Sequence, residues 1–263
     1  ILITNPDAAD ATASGVSDSG VINYLNKFGK RGPATSFRSI DPIGELFYTG
    51  LRYMRNLTPV PGYMPATLSS AMKDGFPVIN WTTADDPIKW SCQKNFAVGI
   101  ADENAHCDVD LPGNTLTGYS SHCPGHTGTA SDPDASVNVT TLDNLIGSKE
   151  SGMENGGNLG TYYFHNSSRK NTWHMAGLAY WANTHDIRPD DNNKPQTKGL
   201  QTMQTYFLDV KETGSAGGKN QMWMAAKYGG FNDVNHDGQP ANNATWDENS
   251  DGIPDNYLSA DRP

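Results

Sequence analysis

Positive charge is scarce in this chain: 19 lysines and arginines stand against 29 aspartates and glutamates, for a net charge of −10. Nucleic-acid binding rests on a basic face that neutralises phosphates, so this balance argues against that class and favours cations as partners. No apolar run approaches the ~18 residues that span a bilayer, and no signal peptide pattern is present. Cysteine is nearly absent too, with three residues, too few for a disulfide scaffold. Charged residues make up only 18%, while glycines number 27 and prolines 16, which describes a loop-rich globular protein. With 263 residues the chain can form one large α/β domain or two small ones. It opens on Ile1-Leu2-Ile3-Thr4, which reads like the middle of a strand and predicts a processed or excised piece.

What is abundant is acid near the C-terminus. Asp-x-Asn-x-Asp-Gly occurs at Asp233, Asn235, Asp237 and Gly238, and again at Asp247, Asn249, Asp251 and Gly252. Calcium needs six to eight hard oxygen ligands, and alternate acidic or amide side chains followed by a turn-making glycine supply them. A single match can be a solvated acidic turn; two in succession predict calcium. The expected ligands are Asp233, Asn235, Asp237 and Gln239 in the first loop. In the second they are Asp247, Asn249, Asp251, the carbonyl of Ile253, and Asp255. The second loop reads as the stronger, because Asp255 adds an oxygen at its ninth position. The first has Ala244 where an acid would stand, so it either borrows Asp247 or holds its ion weakly.

Cys107 and Cys123 bracket a glycine-rich loop, and a disulfide between them would stabilise it by roughly 3 kcal/mol. Two alternatives stay open: a His-Cys metal cluster with His106, His122 and His126, or unpaired thiols. The sequence names no partner for Cys92.

Along the chain, Ile1–Thr4 predicts a strand, and Val21, Ile22, Leu25 and Phe28 fall at helical spacing. Asp41 can cap a helix with Pro42 in its first position, and Ile43, Leu46, Phe47, Leu51 and Met54 form its apolar stripe. Phe96 to Ile100 is an uninterrupted apolar run, which predicts a strand in a sheet covered on both faces. Asp102 would stand beyond its carboxyl end, where ligands sit in such sheets, or serve only as a loop-capping acid. Residues 103–160 show little periodicity and predict a long insertion. A helix is expected near Thr172, with Trp173, Ala176, Gly177, Tyr180 and Thr184 on one face as core, and His174 and His185 as ordinary residues. A strand is predicted over Thr202–Val210, and a helix over Gln221–Tyr228 with Gly229-Gly230 as its C-cap. Alternating helices and strands predict a doubly wound α/β sheet.

Specific stretches resemble a known family. Ser91 to Asp102, with Cys92-Gln93-Lys94-Asn95-Phe96 leading into the apolar strand, is similar to a segment of the type IV pilus tip-associated adhesin and biogenesis proteins. So are Ala225 to Phe231, the two Asp loops, and Asp251-Gly252-Ile253-Pro254-Asp255-Asn256-Tyr257. Asp41-Pro42-Ile43-Gly44-Glu45-Leu46 is similar to that family's Thr-Pro-Leu-Gly-Glu-Ala helix start. The resemblance implies a von Willebrand A-like doubly wound sheet over residues 1–230, with its first strand missing and an insertion at about 103–160. An acidic calcium-loop tail would follow over 231–263. The family's adhesion-type metal motif, Asp-x-Ser-x-Ser, has only a loose match at Asp10, Thr12 and Ser14. Its Thr aligns with Asp41, and its Thr-Asp-Gly has become Ala101-Asp102-Glu103, so Asp41 and Asp102 are remnants of an incomplete site. The family's C-terminal β-propeller is not part of this sequence.

The function implied is a non-enzymatic, calcium-binding adhesion module at the pilus tip, exported through the periplasm to the cell surface. Its partners would be minor pilins or pilus-tip proteins and a host or abiotic surface. A filament or surface-layer building block is the alternative. A calcium-dependent hydrolase is the enzymatic one, though neither a Gly-x-Ser-x-Gly elbow nor a His-Glu-x-x-His helix occurs.

Overall fold

The computed structural model describes residues 42–63, 67, 81–102, 106–119, 121, 123, 125–128, 134–164, 170–210 and 219–259. The expected strand at Ile1–Thr4, the helix carrying Val21 to Phe28, the loose match at Asp10 to Ser14, and Asp41 all lie outside the described residues.

Three parallel strands form one sheet in the order β1-β2-β3: β1 (Asn95–Ala101), β2 (Met203–Asp209) and β3 (Tyr257–Ser259). Among the described residues four α-helices accompany them: α1 (Ile43–Met54), α2 (Val139–Ser148), α3 (His174–Thr184) and α4 (Gln221–Gly230). Helices α3 and α4 pack on each other and on β2, while α1 and α2 pack on α3. The apolar run predicted β1, yet among the described residues no element covers the second face of the sheet, where cover on both faces was expected. Met203, Thr205 and Phe207 of β2 point into the core, while Phe96, Val98 and Ile100 of β1 are 50%, 72% and 60% exposed. A side chain every second residue goes to each face, and α3 and α4 take one face only.

Helix α3 is buried over ten of its residues, His174 to Asn183, so it is apolar nearly all round rather than on one face. In α1 the inward face also differs from the predicted stripe. Tyr48 and Leu51 are fully buried, Ile43, Phe47 and Met54 pack at the core's edge, and Leu46 is 63% exposed. Glu45 and Arg52 share the buried face because their polar atoms find backbone partners there: Asp110 N–H donates to Glu45 Oε1 at 2.8 Å, and Arg52 Nε donates to Thr58 O at 2.8 Å. Pro42, not the first helical residue as expected, sits at the N-cap position.

Residues 103–160 contain a helix that periodicity did not show. Asn138 caps α2 by accepting from Thr141 N–H, and Val139, Leu142 and Ile146 join the same core as α3. Gly229 and Gly230 likewise do not cap α4, which runs through both to Phe231. They allow close approach instead: a Cβ on Gly229 would lie 2.6 Å from the Ala179 methyl, and one on Gly230 2.0 Å from Asn256 Nδ2.

Candidate functional site

The acidic stretch was expected as a tail. It is instead the connection from α4 to β3, and the chain returns from it into the sheet. Asn256 secures the return by donating to Thr205 O at 3.2 Å and Gly230 O at 3.1 Å. The loops themselves are tied down by Asn232 N–H to Thr245 O and Asp255 N–H to Trp246 O, both 2.8 Å.

Both loops fold with the same wiring. The first aspartate accepts from the amides four and five residues on. Asp233 takes Asp237 and Gly238 at 3.1 Å each, and Asp247 takes Asp251 at 3.0 Å and Gly252 at 2.9 Å. The third-position asparagine donates to the fifth-position aspartate: Asn235 to Asp237 at 2.8 Å, Asn249 to Asp251 at 3.3 Å. That aspartate accepts the next amide but one, from Gln239 and from Ile253, at 2.8 Å each. In both loops the fourth residue is left-handed, His236 with φ 55° and Ser250 with φ 61°, followed by the positive-φ glycines Gly238 and Gly252. Only glycine takes that backbone region freely, which is why it recurs at the sixth position. The same turn geometry thus places acidic and amide side chains at alternate positions of both loops.

The donor set is oxygen throughout, with no thiol or imidazole drawn in, and it fits a hard cation. Asp247 is fully buried, and both its oxygens serve the second loop. Asp255 Oδ2 closes that loop by accepting from Glu248 N–H at 3.0 Å. Around the first loop, the Gln239 side chain accepts from Lys149 Nζ at 2.5 Å, and Tyr180 Oη donates to Gly238 O at 3.1 Å. Tyr180 and Lys149 thus anchor this loop to α3 and to the end of α2.

Cys107 and Cys123 form a disulfide with Cα atoms 5.6 Å apart, and Cys92 is an exposed free thiol. The disulfide removes the His-Cys metal alternative. His122 lies outside the described residues, whereas His126 lies 2.8 Å from Asp110. Asp102 stands just past β1 at the sheet's carboxyl edge, as predicted, and its expected companion Asp41 is outside the described residues.

Sequence spacing gave no sign of one further pair. His174, expected to be ordinary, places Nδ1 2.6 Å from Asp143 Oδ2, both side chains at 0% exposure. Its Nε2 lies 3.0 Å from Asn114 Oδ1. Burial pushes the Asp143 carboxyl above its ordinary range, with His174 opposing it. Asp143 and His174 are brought together by the packing of α2 on α3, which no local pattern encodes.

No protein-family model and no solved structure matches the chain. Among curated proteins it is similar to the type IV pilus biogenesis factor PilY1 homolog of Xylella fastidiosa (strain Temecula1), at 35% identity over 274 residues. The match takes in 94% of this chain and 21% of the relative, so the chain spans about a fifth of that protein's length.

Proposed function

We propose that this chain is a calcium-binding, non-enzymatic module of a type IV pilus biogenesis protein, acting in pilus assembly and surface attachment. The observation that carries the calcium reading is the shared wiring of the two Asp loops within the α4–β3 connection. Two sequences that differ elsewhere fold to one hydrogen-bond pattern built on the same alternate acidic and amide positions. Asp233, Asn235, Asp237 and Gln239 would hold one ion. Asp247, Asn249, Asp251, the Ile253 carbonyl and Asp255 would hold the other. Bound calcium neutralises the crowded carboxylates and stiffens the segment that delivers β3 to the sheet.

The pilus reading is supported by the likeness to the PilY1 homolog over nearly the whole chain. It carries with it a von Willebrand A-like fold, which parallel strands joined through helices support, although among the described residues helices cover one face of the sheet. It also carries a surface or pilus-tip location, with minor pilins and a host or abiotic surface as partners. A non-enzymatic role is suggested by the same likeness to a pilus biogenesis factor.

The test is calorimetry of the wild type and of Asp251→Ala, in chelator and in millimolar calcium. A ligand that binds only the folded state at a hundred times its Kd adds about 2.7 kcal/mol. Asp251 is exposed, so its removal costs no core packing, and comparison of the variant in chelator and in calcium separates the ion's contribution from the lost bonds to Ile253 and Asn249. The wild type should melt higher in calcium, and the variant should lose much of that gain. Identical wild-type melting in both buffers would overturn the calcium reading. Retention of minor pilins on the immobilised chain supports the pilus role, whereas assembly of the purified chain into regular fibres would favour a filament building block.

A further inference from the structure

Outside the acidic loops, three side chains from separate parts of the sequence converge beside the disulfide. Among the described residues, Glu45, Asp110 and His126 are the group of His, Cys, Asp or Glu whose ligand atoms all lie within 4.8 Å of one another. We propose that they form a binding site for a borderline divalent ion of the zinc class. None of the three belongs to the Asp loops or to the Asp41 and Asp102 remnants.

Glu45 is 7% exposed, on the first turn of α1. Its Oε1 is held by Asp110 N–H, while Oε2 is buried and makes no aligned hydrogen bond. Asp110 spends Oδ1 on three donors: Gly128 N–H at 2.7 Å, Thr127 N–H at 2.8 Å and Thr127 Oγ1 at 3.1 Å. That fixes Oδ2 toward His126, whose Nδ1 is 2.8 Å away. This Nδ1 is buried and off hydrogen-bond alignment with that oxygen. Around a tetrahedral zinc-class ion with bonds of about 2.0–2.2 Å, neighbouring ligand atoms stand roughly 3.3–3.6 Å apart. The 2.8 Å between His126 Nδ1 and Asp110 Oδ2 is shorter than that, so an ion enters only if the pair widens by about half an ångström.

The surroundings hold the ligands in place, as the outer shell of a metal site does. Gly44 N–H donates to Asp108 Oδ1 at 2.8 Å, pinning the start of α1 to the loop before Asp110. His126 N–H donates to Cys123 O at 3.2 Å, so the disulfide positions the histidine turn. Asn114, itself next to His174, donates to Val109 O at 2.8 Å and Gly128 O at 2.9 Å across the same loop. Asp110 and His126 are 16% and 19% exposed on their side chains, which leaves the site open to solvent on one side. One imidazole nitrogen with two carboxylates suits zinc better than calcium, which takes oxygen.

The experiment uses the chain with its disulfide intact, stripped of metal, then titrated with Zn(II) by calorimetry and with Co(II) by visible absorption. One equivalent should bind with a nitrogen-containing Co(II) spectrum. His126→Gln and Glu45→Gln should each weaken binding at least tenfold, while Asp251→Ala and Cys92→Ser leave it unchanged. Absence of saturable binding, or binding that His126→Gln does not weaken, overturns the site. Zinc-edge anomalous diffraction from wild-type crystals decides it without variants: a peak beside His126 Nδ1 supports the site, and a peak elsewhere or none overturns it. Because Asp251→Ala disables the calcium loops alone, failure of either metal reading is distinguishable from failure of the other.

Discussion

Replacing Asp143 by alanine tests how the two helices α2 and α3 are bolted together. His174 Nδ1 sits 2.6 Å from Asp143 Oδ2 with both side chains at 0% exposure, so neither group can turn to water when the other is lost. Removing one member of a buried pair strands its partner's polar atoms and typically costs about 3–5 kcal/mol. In a chain of this size each kcal/mol moves the melting temperature by about 2–4 °C, so Asp143→Ala should melt roughly 10 °C lower. The effect should reach further than α2, because His174 Nε2 also contacts Asn114, which holds the loop around Val109 and Gly128. Thermal unfolding followed by circular dichroism gives the loss, and a double-mutant cycle with His174→Ala gives the coupling. The double variant should lose clearly less than the two singles together, since the second removal strands nothing new. A single-variant loss under about 1 kcal/mol, or strict additivity, would refute this reasoning.

Two other outcomes follow from the packing. A Cβ at Gly99 would fall 2.2 Å from Phe207 Cε2, so Gly99→Ala should destabilise by about 1–3 kcal/mol in urea titration, and Phe207→Leu should remove most of that penalty. Glu150 accepts from Lys219 and Lys227 at 2.5 Å each and from Tyr228 Oη at 2.8 Å. Burial works against its charge, but these three donors outweigh it and hold the carboxyl below the usual carboxylate range. A depressed folded-state pKa contributes stability that is present above the unfolded value and lost as pH falls through the folded one. Glu150→Gln should therefore be the less stable protein at neutral pH, with the gap closing in acid; a gap that stays constant down to strongly acid pH would show that Glu150 acts by shape alone.

Several elements were legible because their signal is local. The apolar run Phe96 to Ile100 and the β-type residues within Thr202 to Val210 gave β1 and β2 within a residue or two. The α4 start was visible too, where Asn220 accepts from Trp223 N–H. Helix α2 was not, because Val139-Thr140-Thr141 and Asp143-Asn144 are weak helix formers that hold the helix through its cap and its packing on α3. Strand β3, at three residues, is too short to carry a period, so the acidic loops before it read as a tail. Gly229-Gly230 looked like a helix stop because glycine serves both as a cap and as a place where backbones touch. Only the neighbours Ala179, Thr205 and Asn256 show which.

The sequence by itself determined what depends on neighbours along the chain. The charge balance argues against a nucleic-acid partner, and alternate Asp and Asn before glycine dictate the turn wiring of both acidic loops, since every bond in that pattern spans five residues or fewer. The tertiary structure decided what depends on distant groups meeting. It made the acidic loops a crossover rather than a tail, sealed His174 against Asp143, and gathered Glu45, Asp110 and His126 beside the disulfide. Contacts such as Asp110 N–H to Glu45 Oε1 join residues from different elements, and nothing in local periodicity carries that distance.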